Sequence, residues 1–175
     1  MLKLFGGRKP GLVGLDISAS AIKLLELSRD DGGYVVESYG VEPLPENTVV
    51  EQNIVDVEAV AEAIKRLQAS TQFKSKTAAV AVAGSAVITK TIEVPASLKE
   101  NQIEEQLLMD ADQYIPYPLD EVALDFQVLA ATARSEDMVD VLIAACRQEH
   151  IESRQAALEL SGLNPEVIDI EAHCV

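Results

Sequence analysis

Asp16, Ser18 and Ser20 stand two residues apart in the stretch GLVGLDISASAIKLLELSR (residues 11 to 29), and side chains at that spacing leave one face of an extended chain. A carboxylate and two hydroxyls at a hairpin tip are hard oxygen groups suited to a metal-chelated phosphate. Backbone N–H groups and hydroxyls over Ser18, Ala19 and Ser20 would face phosphate oxygens. Asp16 would act through Mg²⁺ or its waters, because a bare carboxylate repels phosphate, and Lys23 would add positive charge. An ordinary solvated turn has the same composition, so the residues by themselves leave both readings open. A Walker A loop is excluded, since no Gly-x-x-x-x-Gly-Lys-Ser/Thr occurs, and Gly11 and Gly14 do not form a dinucleotide fingerprint.

Other reactive side chains are poorly placed. Cys146 and His150 are one helical turn apart by count, yet Cys174 and His173 complete no standard zinc spacing, and Cys146 closes an apolar stretch where a free thiol packs as a small hydrophobe. Nothing near either cysteine in sequence would lower its pKa or orient an imidazole. Glu100, Glu104, Glu105, Asp110 and Asp112 spread around one helix and read as a solvated face. No catalytic residue is assigned.

The elements that must position the hairpin tip follow from periodicity. Leu12–Ile17 and Ala21–Leu27 form an apolar hairpin, and Gly32–Leu44 adds a third strand after a DDGG turn at residues 30 to 33. Asp56 caps a helix carrying Val57, Val60, Ala61, Ile64 and Leu67 on one face, with Lys65 and Arg66 in its closing turns. TAAVAVA at residues 77 to 83 reads as a strand buried on both faces. Val87–Val94 is a strand, and Ser97-x-x-Glu100 is a capping box ahead of a helix over residues 98 to 114, with Ile103, Leu107 and Ala111 on its buried stripe. Glu121–Ala130 and Met138–Cys146 are strands around the polar turn of residues 133 to 137. A helix at residues 149 to 161 buries Ile151, Ala157 and Leu158, Gly162 ends it, and Pro165–Glu171 is a last strand. Residues 87 to 171 alone therefore spell βαββαβ, the ferredoxin-like order, which predicts a second subdomain.

Bulk properties narrow the partners. A chain of 175 residues suits one ordinary domain or two small ones. With 14 basic against 29 acidic residues, the net charge of -15 repels a nucleic-acid backbone. No run approaches the ~20 apolar residues of a membrane span, and MLKLFGGRKP lacks the apolar core of a secretory signal. A cytoplasmic protein is expected. Lys3, Arg8 and Lys9 are a local basic excess too small to hold a membrane surface. The last residues, EAHCV, begin another element without a cap or core stripe, which reads as a cut chain.

The opening stretch resembles the first phosphate motif of actin-like ATPases, although many of them carry Gly where this chain has Ser18. AVAVAGSAVITKTIEVP, DADQYIPYPLDEVALDFQVL and DVLIAACRQEHIESRQAALELSGLNPEVIDIEA extend the likeness over essentially the whole chain, and they resemble the PilM family of type IV pilus assembly proteins, relatives of FtsA. YIPYPLDEV is the most specific segment. The resemblance implies an α/β fold: an actin-like, ribonuclease H-like subdomain 1A over residues 1 to 85 with a return at 162 to 175, and an inserted FtsA-type βαββαβ subdomain 1C over residues 86 to 161. A second lobe, with its Asp-Gly loop and adenosine pocket, is then missing.

By the same resemblance, Asp16, Ser18, Ala19, Ser20 and Lys23 would bind ATP, with Mg²⁺ held by Asp16 through water, in a full-length protein of weak or absent hydrolysis. These 175 residues, with one wall of the cleft, would bind ATP weakly or not at all. It also implies a scaffold for pilus assembly and twitching motility at the inner face of the inner membrane, reaching that membrane only through a partner. That partner would be the N-terminal cytoplasmic segment of PilN, in a groove between 1A and 1C, beside other cytoplasmic pilus components. Leu108 and Met109 lie off the buried stripe, and Tyr114, Ile115 and Tyr117 flank a rigid Pro116 turn, so these five would line the groove; the alternative is that they close the 1C core. A small-molecule kinase of the same superfold is the competing function. It would need a positioned acid/base for an acceptor hydroxyl, which the insert does not supply.

Overall fold

The computed structural model describes residues 11–30, 32–131 and 137–171. Lys3, Arg8, Lys9, His173 and Cys174, Asp31 of the DDGG turn and most of the turn at 133 to 137 lie outside the described residues. Two units are present, one built on the chain up to Val82 and again from Glu152, the other spanning Ala83–Ile151.

In the first unit β1 (Val13–Ile17), β2 (Ala21–Asp30) and β3 (Gly33–Pro43) pair antiparallel in sequence order, so the expected meander is present. Strand alternation sends Val13, Leu15, Ile22 and Leu24 into the core and turns Asp16 and Lys23 outward. A short ribbon follows, β4 (Val49–Val50) against β5 (Asn53–Ile54). Its two turn residues, Glu51 and Gln52, both have positive φ, 49° and 67°, a conformation that costs a side-chain-bearing residue about 1 kcal/mol.

α1 (Val57–Thr71) starts where Asp56 accepts the Ala59 N–H at 2.9 Å, and buries Val60, Ala61, Ala63, Ile64 and Leu67. It runs beyond the expected end, so Lys65 and Arg66 sit in its middle and pair with Glu62 and Glu42 rather than closing it. The helix crosses β3 at Gly40, where a Cβ would lie 2.6 Å from the Thr71 methyl and 2.9 Å from Leu67. Glu26, buried on β2, accepts the N–H groups of Lys74 and Ser75 and so fixes the turn that leads into β6 (Thr77–Val82).

The second unit holds β7 (Val87–Pro95), α2 (Glu100–Asp110), β8 (Val122–Ala131) and β9 (Met138–Arg147), with sheet order β7-β9-β8, all antiparallel. Ile103 and Leu107 pack on Val94, Val141 and Ile143. The predicted capping box at Ser97 is not formed. The Pro95 carbonyl takes the Leu98 N–H at 3.1 Å, which holds Ser97 inside a turn, and the helix begins after Lys99, whose N–H donates to Gln102 Oε1 at 3.0 Å.

α3 (Gln148–Ser161) and β10 (Asn164–Ile170) depart from the ferredoxin-like expectation. β10 lies parallel to β6 and completes a five-stranded sheet of order β10-β6-β1-β2-β3, leaving the second unit with three strands. Ala157, Leu158 and Leu163 belong to the first unit's core, so the expected boundary at residue 161 moves to Ile151. Element order alone does not say which strand an edge will accept. β6, apolar on both faces and paired with β1 on one side, takes β10 on the other. Gly162 ends α3 at φ 84° as its position implied, with the Leu163 N–H on the Leu158 carbonyl.

Ile151 is only half-buried; the largest side chain that α3 buries is Arg154, 2% exposed. Its Nε donates to the Ala81 carbonyl at 2.9 Å and its Nη2 to the Gln52 carbonyl at 3.1 Å. Arg154→Met keeps the bulk but strands both acceptors, and urea unfolding should show a loss of roughly 2–4 kcal/mol. Gly40→Ala should cost about 1–3 kcal/mol in the same assay, because α1 must move off β3.

Candidate functional site

The turn at Ser18–Ser20 is short because Ile17 and Ile22 are already paired. Ser18 donates both its N–H, at 3.0 Å, and its hydroxyl, at 2.8 Å, to the Ala21 carbonyl. The Ser20 carbonyl accepts the Leu44 N–H at 2.9 Å, which ties the turn to the end of β3. Here Ser18 thus serves the turn with both of its donors. The N–H groups of Ala19 and Ser20 and the Ser20 hydroxyl have no partner among the described residues, and both residues are exposed.

Asp16 and Lys23 sit opposite each other across the hairpin and form an ion pair of 2.8 Å between Oδ2 and Nζ, with their side chains 52% and 60% exposed. The hydrogen bond to Asp16, and then its charge, raise the Lys23 pKa above 10.5. A surface pair of this kind opens readily, because solvent screens it and side-chain entropy opposes it.

Topology gives the turn its setting. β1, β6 and β10 are parallel, and Leu15 pairs with Val80, which pairs with Ile168, so all three carboxyl ends open at one edge of the sheet. Open α/β sheets bind ligands at that edge. Asp169 pairs with Ala81, one residue past Val80, and Asp16 is one residue past Leu15. The two carboxylates thus stand at one level, two strands or roughly 10 Å apart. Sequence reading put Asp169 in a strand without a role; the signal was an acidic residue alternating out of Val-Ile-Asp-Ile-Glu, which only the strand pairing relates to Asp16. Its Oδ1 accepts the Ile170 N–H at 2.7 Å.

The five residues expected to line a groove separate into two groups. Leu108 and Met109 are 50% and 84% exposed, and Tyr117, 38% exposed, lies under the Arg147 guanidinium at 5.1 Å. Ile115 is buried against Ala111 and Ala145, and Tyr114 packs half-buried on the same cluster. The cause is local: the Tyr114 and Ile115 N–H groups both bond the Ala111 carbonyl, and this tight turn sends Ile115 inward over two small alanines. Ile115 and Tyr114 therefore close the core of their own unit. Cys146 is buried, and among the described residues no three His, Cys, Asp or Glu side chains cluster as metal ligands.

The profile of the type IV pilus assembly protein PilM family matches residues 14–175. The chain belongs to the PilM family. A solved PilM-PilN type IV pilus biogenesis complex contains a chain 32% identical, with TM-score 0.82 over 95% of this chain. The present chain spans 48% of the length of that relative. The cytoplasmic domain of EpsL, an inner-membrane component of the type II secretion system of Vibrio cholerae, matches at 17% identity and TM-score 0.56 over 91% of this chain and 56% of its own, a likeness of fold alone. YIPYPLDEV, the segment that most resembles the PilM family, begins at Tyr114, the residue that ends the tight turn after α2, and contains the 3₁₀ turn at Leu119–Glu121. No helix of the described residues is long and apolar enough to cross a membrane.

The Asp16–Lys23 pair has a pH signature. Because the folded pKa of Lys23 lies above its ordinary 10.5, the stabilisation is complete below that pH and is lost as pH rises through the raised value. Asp16→Asn should bring the Lys23 Nζ titration, followed by NMR, back down toward 10.5; an unchanged titration would mean that the pair does not form in solution.

Proposed function

We propose that this PilM-family chain serves type IV pilus assembly and twitching motility as part of an actin-like scaffold at the inner face of the inner membrane, where it docks the N-terminal cytoplasmic segment of PilN alongside other cytoplasmic pilus components. The observation that carries the reading is the match over 95% of the chain, at 32% identity, to the relative solved in a PilM-PilN complex. The mixed sheet with three parallel carboxyl ends beside the β1–β2 turn is the arrangement an actin-like reading requires.

On this reading the turn is one wall of an ATP·Mg²⁺ site. Mg²⁺ takes one or two carboxylates and completes its shell with water and phosphate oxygens, which a half-exposed Asp16 suits. Ala19 and Ser20 would offer N–H and hydroxyl donors to phosphate, and Lys23, held on Asp16 here, would lie within reach of a phosphate oxygen. Hydrolysis at such a site would be weak or absent. PilN is assigned to the exposed side of α2, where Leu108 and Met109 stand clear of the core, and to Tyr117. A kinase function has no observation in its favour among the described residues.

Isothermal titration of ATP·Mg²⁺ into the full-length protein should show at least a tenfold loss of affinity for Asp16→Asn while the melt stays within a few degrees, because the residue lies at an exposed hairpin end. Equal affinity would remove Asp16 from the site. In a separate titration, Leu108→Glu or Met109→Glu should weaken a PilN N-terminal peptide at least tenfold while the melt stays within a few degrees. Peptide binding at wild-type strength in both variants would place the docking surface elsewhere.

A further inference from the structure

We draw no further inference here: the strongest candidate, the exposed apolar patch on the outer face of the β2–β3 hairpin at Leu25, Val36, Tyr39 and Val41, carries none because nothing in the structure shows what covers it.

Discussion

A guanidinium removed from water must have its N–H groups met by the protein, and Arg154 meets that demand with backbone carbonyls from two distant places. Gln52 lies 102 residues before it in sequence and Ala81 lies 73 before it. One side chain on α3 thereby fixes the left-handed turn of the β4–β5 ribbon and the end of β6 at once. Those anchors also hold α3 down on the sheet, beside the Ala157 and Leu158 contacts. Much of the first unit's long-range geometry thus rests on a charge that hydrophobic periodicity treats as an interruption.

Local rules read the local structure well. The three-strand meander, the Asp56 cap, the α1 stripe and the Gly162 stop were all legible, because alternation, capping chemistry and positive φ act within a few residues. Interactions that join distant residues left no such trace. Nothing within a few residues of Glu26 announces that its carboxylate will receive the N–H groups of Lys74 and Ser75, and nothing near residue 164 names β6 as its neighbour. The start of α2 failed for a local reason, as two signals overlapped and the turn made by Pro95 took precedence over the box at Ser97.

The candidate site was half legible for the same reasons. Spacing placed Asp16, Ser18 and Ser20 at a hairpin tip, and the structure keeps them there. What spacing does not convey is the direction of a hydroxyl, and Ser18 points its proton at its own turn. Nor does it relate Asp16 to Asp169, whose common level depends on two strand registers. On α2 the surplus of Leu108 and Met109 over the buried stripe was correctly legible as exposure, whereas Ile115 depended on the turn geometry that follows the helix and on the small alanines beneath it.

The parallel pairing of β10 with β6 bears on how the chain folds as it is made. Between the end of β6 at Val82 and the start of β10 at Asn164 the ribosome must produce the whole second unit and α3. Until then one side of an alanine- and valine-rich strand has its N–H and C=O groups open to any extended neighbour, the condition under which chains pair wrongly or with one another. Loop closure across so long a crossover is also slow, since its entropy is lost before the last strand's contacts return it. The meander and α1 can form early from near neighbours, and the five-stranded sheet awaits β10.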